Sequence, residues 1–182
     1  MGEKIYIREQ IQLTPFEAGD KPSLVLYLND PTIYRNTLLI PSPYTEADAE
    51  WWIGKTRENF ELYGRTYNWA IRHAEHGLIG GTSVFIRTGL EGHLDEIGYW
   101  LAEPYRGQGI VTDVVKALCN WLFEVRPALV RIEAKVHSYN PASARVLEKA
   151  GFEREGLLRK ATIKNGELID TILMAKIRPG LE

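Results

Sequence analysis

The 182-residue sequence predicts an α/β fold with mixed strand directions. Three observations carry this. Val130, Ile132, Ala134 and Val136 alternate with polar neighbours, the period of a half-buried strand. Farther upstream, Val111, Val114, Val115, Leu118 and Leu122 share one face of a helix. The two kinds of segment follow one another along the chain, and a strong hairpin signal closes it.

The elements follow in order. Ile5 and Ile7, extended by Ile11 and Leu13, alternate as a first strand. Thr14-Pro15 and Gly19-Asp20 punctuate the next stretch. Residues 24–28 read as a short helix stopped by Asn29-Asp30-Pro31. Thr45 is a good N-cap, with Asp48 three residues on as a weaker form of the capping box. The helix it opens should cover 46–64, with Trp52 and Phe60 facing the core. Residues 67–72 and 82–86 alternate as strands around a His76-Gly77 turn, and 96–101 is apolar enough for a central strand. Residues 104–109 form a tight loop before the helix over 111–123. After the strand at 130–136, Asn140 and Pro141 open a short helix that ends at Gly151. Two last strands flank Asn165-Gly166. Both central strand–helix–strand connections are right-handed crossovers if their strands are parallel. With no repeats, linkers or low-complexity tracts, residues 1–182 read as one domain.

Composition excludes several classes. Hydrophobic residues make up 45% and charged residues 25%, ordinary globular values that argue against disorder. The net charge of −2 gives no bulk positive field for nucleic acid, so an anionic ligand must be held by local groups. Cys119 stands alone, which excludes an intramolecular disulfide and suits a reducing compartment. Residues 1–8 lack the apolar core of a signal peptide, and no later run is long enough to span a bilayer. The expectation is a soluble cytoplasmic protein with neither nucleic acid nor membrane as partner.

The chemistry concentrates where the strand at 96–101 runs into Pro104-Tyr105-Arg106-Gly107-Gln108-Gly109 and a helix starts at once. Exposed N–H groups at a helix start, together with its dipole, form an anion site. Gly107 and Gly109 let the backbone approach a pyrophosphate closely, and Arg106 can add charge at the rim. A dinucleotide fingerprint would need a third glycine where Thr112 stands, and a Walker A loop needs a Gly-Lys-Ser/Thr that is absent. A plain strand-to-helix turn, with glycines for shape, is an equal reading of the loop alone.

Arg106-Gly107-Gln108-Gly109-Ile110-Val111 resembles the acetyl-CoA loop of GNAT N-acetyltransferases, Q/R-x-x-G-x-G/A. About thirty residues later, the run from Asn140-Pro141-Ala142-Ser143 through Leu147 to Gly151-Phe152 resembles the second motif of that superfamily in its RimJ/RimL-like form. Leu28-Asn29-Asp30-Pro31, Trp51-Trp52, Glu96-Ile97-Gly98-Tyr99-Trp100-Leu101 and Glu155-Gly156 with Arg159 fall in the order of that branch. The similarity spans about residues 5 to 177. It implies the GNAT acyl-CoA N-acyltransferase fold, a mixed and mostly antiparallel twisted sheet flanked by helices, and direct acetyl transfer from acetyl-CoA to an amine in a ternary complex. It also implies cofactor contacts from the backbone of Tyr99, Trp100 and Leu101, from Arg106, Gly107, Gln108 and Gly109, from Val111 and Thr112, and from Asn140. A homodimer is compatible with it.

Two positions depart from the pattern. Val111 replaces the small residue that ends the loop motif, and can either crowd the pyrophosphate or face the core. Leu147 stands where many GNAT enzymes carry a tyrosine that protonates the leaving thiolate; by resemblance, Ser143 is the replacement acid. Asn140 is also an ordinary helix start.

Transfer needs a neutral amine, a donor for the developing oxyanion and a proton for the thiolate. Roughly one α-amine in ten is neutral at pH 7, against about one lysine in a few thousand. The sequence shows no unmistakable base, which favours a protein or peptide N-terminal α-amine over a lysine side chain. Glu96 is the candidate base; its rival reading is an ion pair. A small-molecule amine as acceptor and a non-catalytic acyl-CoA binder remain the alternatives. His73 and His76 read as a solvated turn rather than metal ligands. His137 and Tyr139 either line the acceptor cleft or are half-buried strand-end residues. Arg159 and Asp170 either hold a substrate carboxylate or pair across the last hairpin, and the pair is the expectation.

Overall fold

The computed structural model describes residues 3–181. The chain forms two compact units. One takes the residues up to Ser83 together with Tyr99–Ile110; the other takes Val84–Gly98 and the residues from Val111 on.

The first unit begins with β1 (Ile5–Arg8) and β2 (Ile11–Pro15) as an antiparallel hairpin, where the alternation alone suggested one strand. The turn between them places Gln10 at φ 65, a conformation that sequence rules reserve for glycine, so no turn signal announced it. The β1–β2 register shifts between Tyr6 and Arg8. β2 pairs antiparallel with β3 (Asn68–His73), which pairs with β4 (Gly77–Ile86).

Three helices belong to this unit. After α1 (Lys21–Leu28) the chain stops at Asn29, as expected, but restarts at once as α2 (Pro31–Asn36). Asp30 caps α2 by accepting the Thr32 N–H at 2.7 Å, and Pro31 takes the first helical position, so the stop signal was also a start signal. α3 (Glu46–Tyr63) has the full reciprocal capping box of Thr45 and Asp48 and ends at Gly64 with φ 66. Leu24, Leu28, Ile33, Tyr44, Ala49 and Ile53 form the core of the unit with Trp52 and Trp100 packed against it. Phe60 does not join them: it is 48% exposed, about two turns past Ile53, the last core position of α3.

The second unit contains the first part of β5 (Leu94–Leu101), which runs parallel to β6 (Arg131–His137), and α4 (Ile110–Val125) lies between the two strands in sequence. The registered pairs are Leu94–Arg131, Asp95–Ile132 and Glu96–Glu133. α5 (Pro141–Lys149) leads to β7 (Glu153–Lys164) and β8 (Glu167–Ile177), paired around Asn165 at φ 51 and Gly166 at φ 81. β8 also pairs antiparallel with β6 along its full length. Val114, Val115, Leu118, Cys119 and Leu122 of α4 are buried, the face that the apolar spacing predicts. Asp95 is fully buried with the Arg126 guanidinium 2.9 Å away and accepts the Arg87 N–H. Burial pushes its carboxyl above the ordinary range, against the pull of that bond and of Arg126 and Arg87. No helix is long and apolar enough to cross a membrane.

Candidate functional site

At one end of the first unit the antiparallel pairings bring together the end of β1, the β3–β4 turn and the loop after β5. Ala102 is tied to β4 by its N–H, which donates to the Ile79 carbonyl at 2.9 Å. A short 3₁₀ turn over Glu103–Tyr105 follows, and then Gly107 and Gly109, both at φ 76. A Cβ on Gly107 would meet nothing within 4 Å, so this glycine answers to its backbone angle and not to crowding. Among the described residues, neither Gly107 nor Gly109 directs its backbone N–H to another backbone carbonyl. α4 begins at Ile110. Such a loop, with left-handed glycines running into a long helix, suits a phosphate group.

Val111 is only 9% exposed and Thr112 is equally buried, so both side chains face inward and leave the loop backbone unobstructed. The departure at Val111 is therefore a packing choice. Arg106 is engaged within the protein: its Nε donates to the Leu101 carbonyl at 3.1 Å, and its Nη2 lies 2.5 Å from the Asp30 carboxylate. Burial raises the Asp30 pKa, but the Thr32 N–H and Arg106 outweigh it and hold the carboxyl below its usual range. Gln108 is exposed, and its side chain donates to the Pro104 carbonyl.

Trp100 is partly buried against the core of the unit, the side-chain role open to it from the sequence, while its backbone remains part of β5. The sequence reading missed what lets it sit there. A Cβ on Gly80 would lie 2.7 Å from the Trp100 carbonyl oxygen, and one on Gly81 2.7 Å from its indole nitrogen. A Gly-Gly pair inside a strand was the available signal. Tyr99 and Leu101 lie on the same strand, half-buried and buried.

The second unit holds the other candidates. Asn140 caps α5: its Oδ1 accepts the Ser143 N–H at 3.2 Å, with Pro141 at the first helical position. Ser143 is half-buried in that first turn, and Leu147 is fully buried one turn on. His137 is buried and its Nδ1 stands 2.9 Å from the Tyr139 hydroxyl.

Glu96 takes the ion-pair reading. Its carboxylate is 2.7 Å from the Lys135 ammonium and 3.5 Å from the Arg87 guanidinium, so accepting a proton from substrate would disrupt two pairs. Asp170 corrects another expectation. It accepts the Lys160 N–H at 2.9 Å and faces the Lys160 ammonium at 3.8 Å, in place of Arg159. The cause is the irregular register between Leu158 and Thr162, which puts Lys160 at φ 55 and shifts the facing residue by one. His73 and His76 stack with ring centroids 4.3 Å apart, and no cluster of metal-ligating side chains occurs among the described residues.

Comparisons with known proteins agree with this geometry. Residues 10–153 match the acetyltransferase (GNAT) domain family. A probable N-acetyltransferase of Bacillus subtilis, YjcK, is 41% identical over 98% of this chain and 96% of its own length. The ribosomal-protein-serine acetyltransferase of Escherichia coli is 38% identical over 82 residues, 45% of each chain. Among solved structures, ribosomal-protein-S5-alanine acetyltransferase from Vibrio fischeri superposes with a TM-score of 0.83 at 24% identity, over 98% of both chains. The match over most of the length, with the glycine loop and the Asn140 cap in place, shows that the chain belongs to the GNAT family of N-acetyltransferases.

Proposed function

We propose that this protein acetylates the α-amine of a protein or peptide N-terminus. Its co-substrate is acetyl-CoA, which supplies the acetyl group as a reactive thioester. The glycines of the loop, with the start of α4, receive its phosphates, and the backbone of Tyr99, Trp100 and Leu101 aligns its amide-bearing arm. Asn140 fixes the start of α5 and with it Ser143. That hydroxyl supplies a proton or hydrogen bond to the departing sulfur.

The observation that carries the choice of acceptor is the engagement of Glu96 by Lys135 and Arg87. With this carboxylate committed, an amine that is already partly neutral at pH 7 is the acceptor the chain can use. The kinship with an enzyme named for a ribosomal protein's serine points the same way. Transfer is direct. Cys119 is buried in α4, and burial pushes its thiol up to about 12, so it is neither accessible nor ionised as an acyl carrier requires.

The test is thiol release from acetyl-CoA against pooled acceptors. Peptides with free N-termini should turn over, and the same peptides with blocked N-termini and free lysines should not. Turnover confined to amino acids or polyamines would assign the enzyme to small amines. Cofactor binding with no turnover on any pool would make it a binding protein.

A further inference from the structure

The first unit holds a cavity of about 220 Å³ lined by α3, the end of β2 and the start of β3. The glycine loop neighbours the other end of β3, so the length of that strand, about 17 Å, separates the two. Phe16, Ile53 and Phe60, the ring that α3 leaves outside the core, are its apolar walls. Asn68 and Thr66 add polar groups. Asn68 is 7% exposed; its Oδ1 accepts the Asn59 amide at 2.8 Å, and its Nδ2 has no hydrogen-bond partner among the described residues. Thr66 is also buried, and its Oγ1 has no partner among the described residues. Arg57 is the charged residue of the lining, exposed and with neither an ion pair nor a hydrogen bond among the described residues. Glu3, which accepts the Thr66 N–H, is paired with Arg65 instead.

We infer that this cavity is a binding site for a small aromatic carboxylate, separate from the glycine loop. Size sets the ring. An apolar cavity of about 150 Å³ takes benzene, so the space here has room for one ring and a short acid-bearing arm. The rings of Phe16 and Phe60 offer it aromatic contacts. Charge sets the acid. A carboxylate beside Arg57 gains a charge-assisted bond, and the Asn68 amide can donate to one of its oxygens. An enclosed donor without a partner is costly, and a ligand oxygen that meets it recovers the cost. An amine of the same shape would face the Arg57 guanidinium as a like charge and leave that donor unmatched, so the cavity discriminates by sign.

The experiment is an NMR titration of the full chain with phenylacetate, benzyl alcohol and benzylamine, which share a ring and differ in charge. Phenylacetate should bind with a Kd of about 1 mM or below. Benzyl alcohol should bind about fivefold more weakly, a modest loss because an exposed cation is screened by water, and benzylamine should not bind measurably. Arg57→Gln should weaken phenylacetate by the same factor of about five and remove its advantage over benzyl alcohol. Phe60→Ala should weaken acid and alcohol alike, by about tenfold, because a wall is gone. Both residues are exposed on α3, so the variants should fold. Saturating CoA should leave the affinity for phenylacetate unchanged. No binding of phenylacetate to the wild type at about 10 mM overturns the inference. So does equal affinity for benzylamine, an Arg57→Gln or Phe60→Ala affinity within about twofold of wild type, or competition by CoA, which would put the acid at the glycine loop. A wild type that binds no CoA sinks the acetyl-CoA reading and leaves this site standing, so the two failures are distinct.

Discussion

Ser143 occupies the first turn of α5, where a serine satisfies local backbone groups in many helices, and the proposed chemistry asks more of it. With Leu147 buried at the position where the family resemblance places the usual acid, Ser143→Ala should lower kcat on the order of 10- to 1000-fold, because a positioned acid contributes about 10²–10⁴ and a hydroxyl is a poor one. Cofactor affinity should hardly change, and Ala is a good helix former there. Steady-state and single-turnover rates decide it; a kcat within about twofold of wild type, with chemistry rate-limiting, retires the role. Cys119 provides the complementary case. Its thiol is buried among the apolar residues of α4, so Cys119→Ala should leave kcat within about twofold while costing on the order of 1 kcal/mol of stability through the small cavity. Loss of turnover in a folded Cys119→Ala protein would reinstate a covalent carrier.

At the scale of elements, the caps and anchors around the site are where stability and function meet. The Asn140 side chain holds the Ser143 N–H, so Asn140→Ala should lower stability by about 1 kcal/mol, read as a melting shift, while Asn140→Ser should keep most of it. If Asn140 also contacts the cofactor, the Ser variant will be stable yet bind CoA more weakly. The Arg106–Asp30 anchor has a pH signature. The folded pKa of Asp30 lies below its ordinary 3.8, so the folded state binds protons less readily than the unfolded chain. The contribution of the pair is complete above about pH 4 and fades as pH falls through the folded pKa. Melting temperatures across about pH 3 to 6 should show a steeper acid loss for wild type than for Asp30→Asn; equal slopes would mean that the anchor contributes nothing. These elements also show how far the sequence could be read. α3, α5 and the last hairpin carried explicit punctuation in Thr45, Gly64, Asn140-Pro141 and Asn165-Gly166, and they form where those residues place them. The β1–β2 turn and the pairing of Lys160 with Asp170 were illegible because Gln10 and Lys160 adopt left-handed angles that only tertiary context imposes on such residues. The Arg106–Asp30 pair joins residues 76 apart in sequence, and no local pattern announces a partner at that distance.

For the whole molecule, the decisive property is linkage between cofactor binding and stability. A ligand that binds only the folded state stabilises it by about 2.7 kcal/mol at a hundredfold excess over Kd. For a chain of 182 residues that corresponds to a rise in melting temperature of roughly 5–10 °C. Acetyl-CoA should produce such a rise, and Gly109→Asp should abolish it. The reasons lie in the loop geometry. Gly109 sits at φ 76, which aspartate tolerates better than most residues, so the variant should fold. Its carboxylate would stand on the glycine loop proposed to receive the phosphates, and like charge then repels the cofactor. Differential scanning calorimetry of both proteins, with and without acetyl-CoA, gives the answer. An equal shift in wild type and Gly109→Asp would place the phosphates elsewhere, and no shift in a wild type shown to be folded would overturn the assignment of acetyl-CoA as its co-substrate.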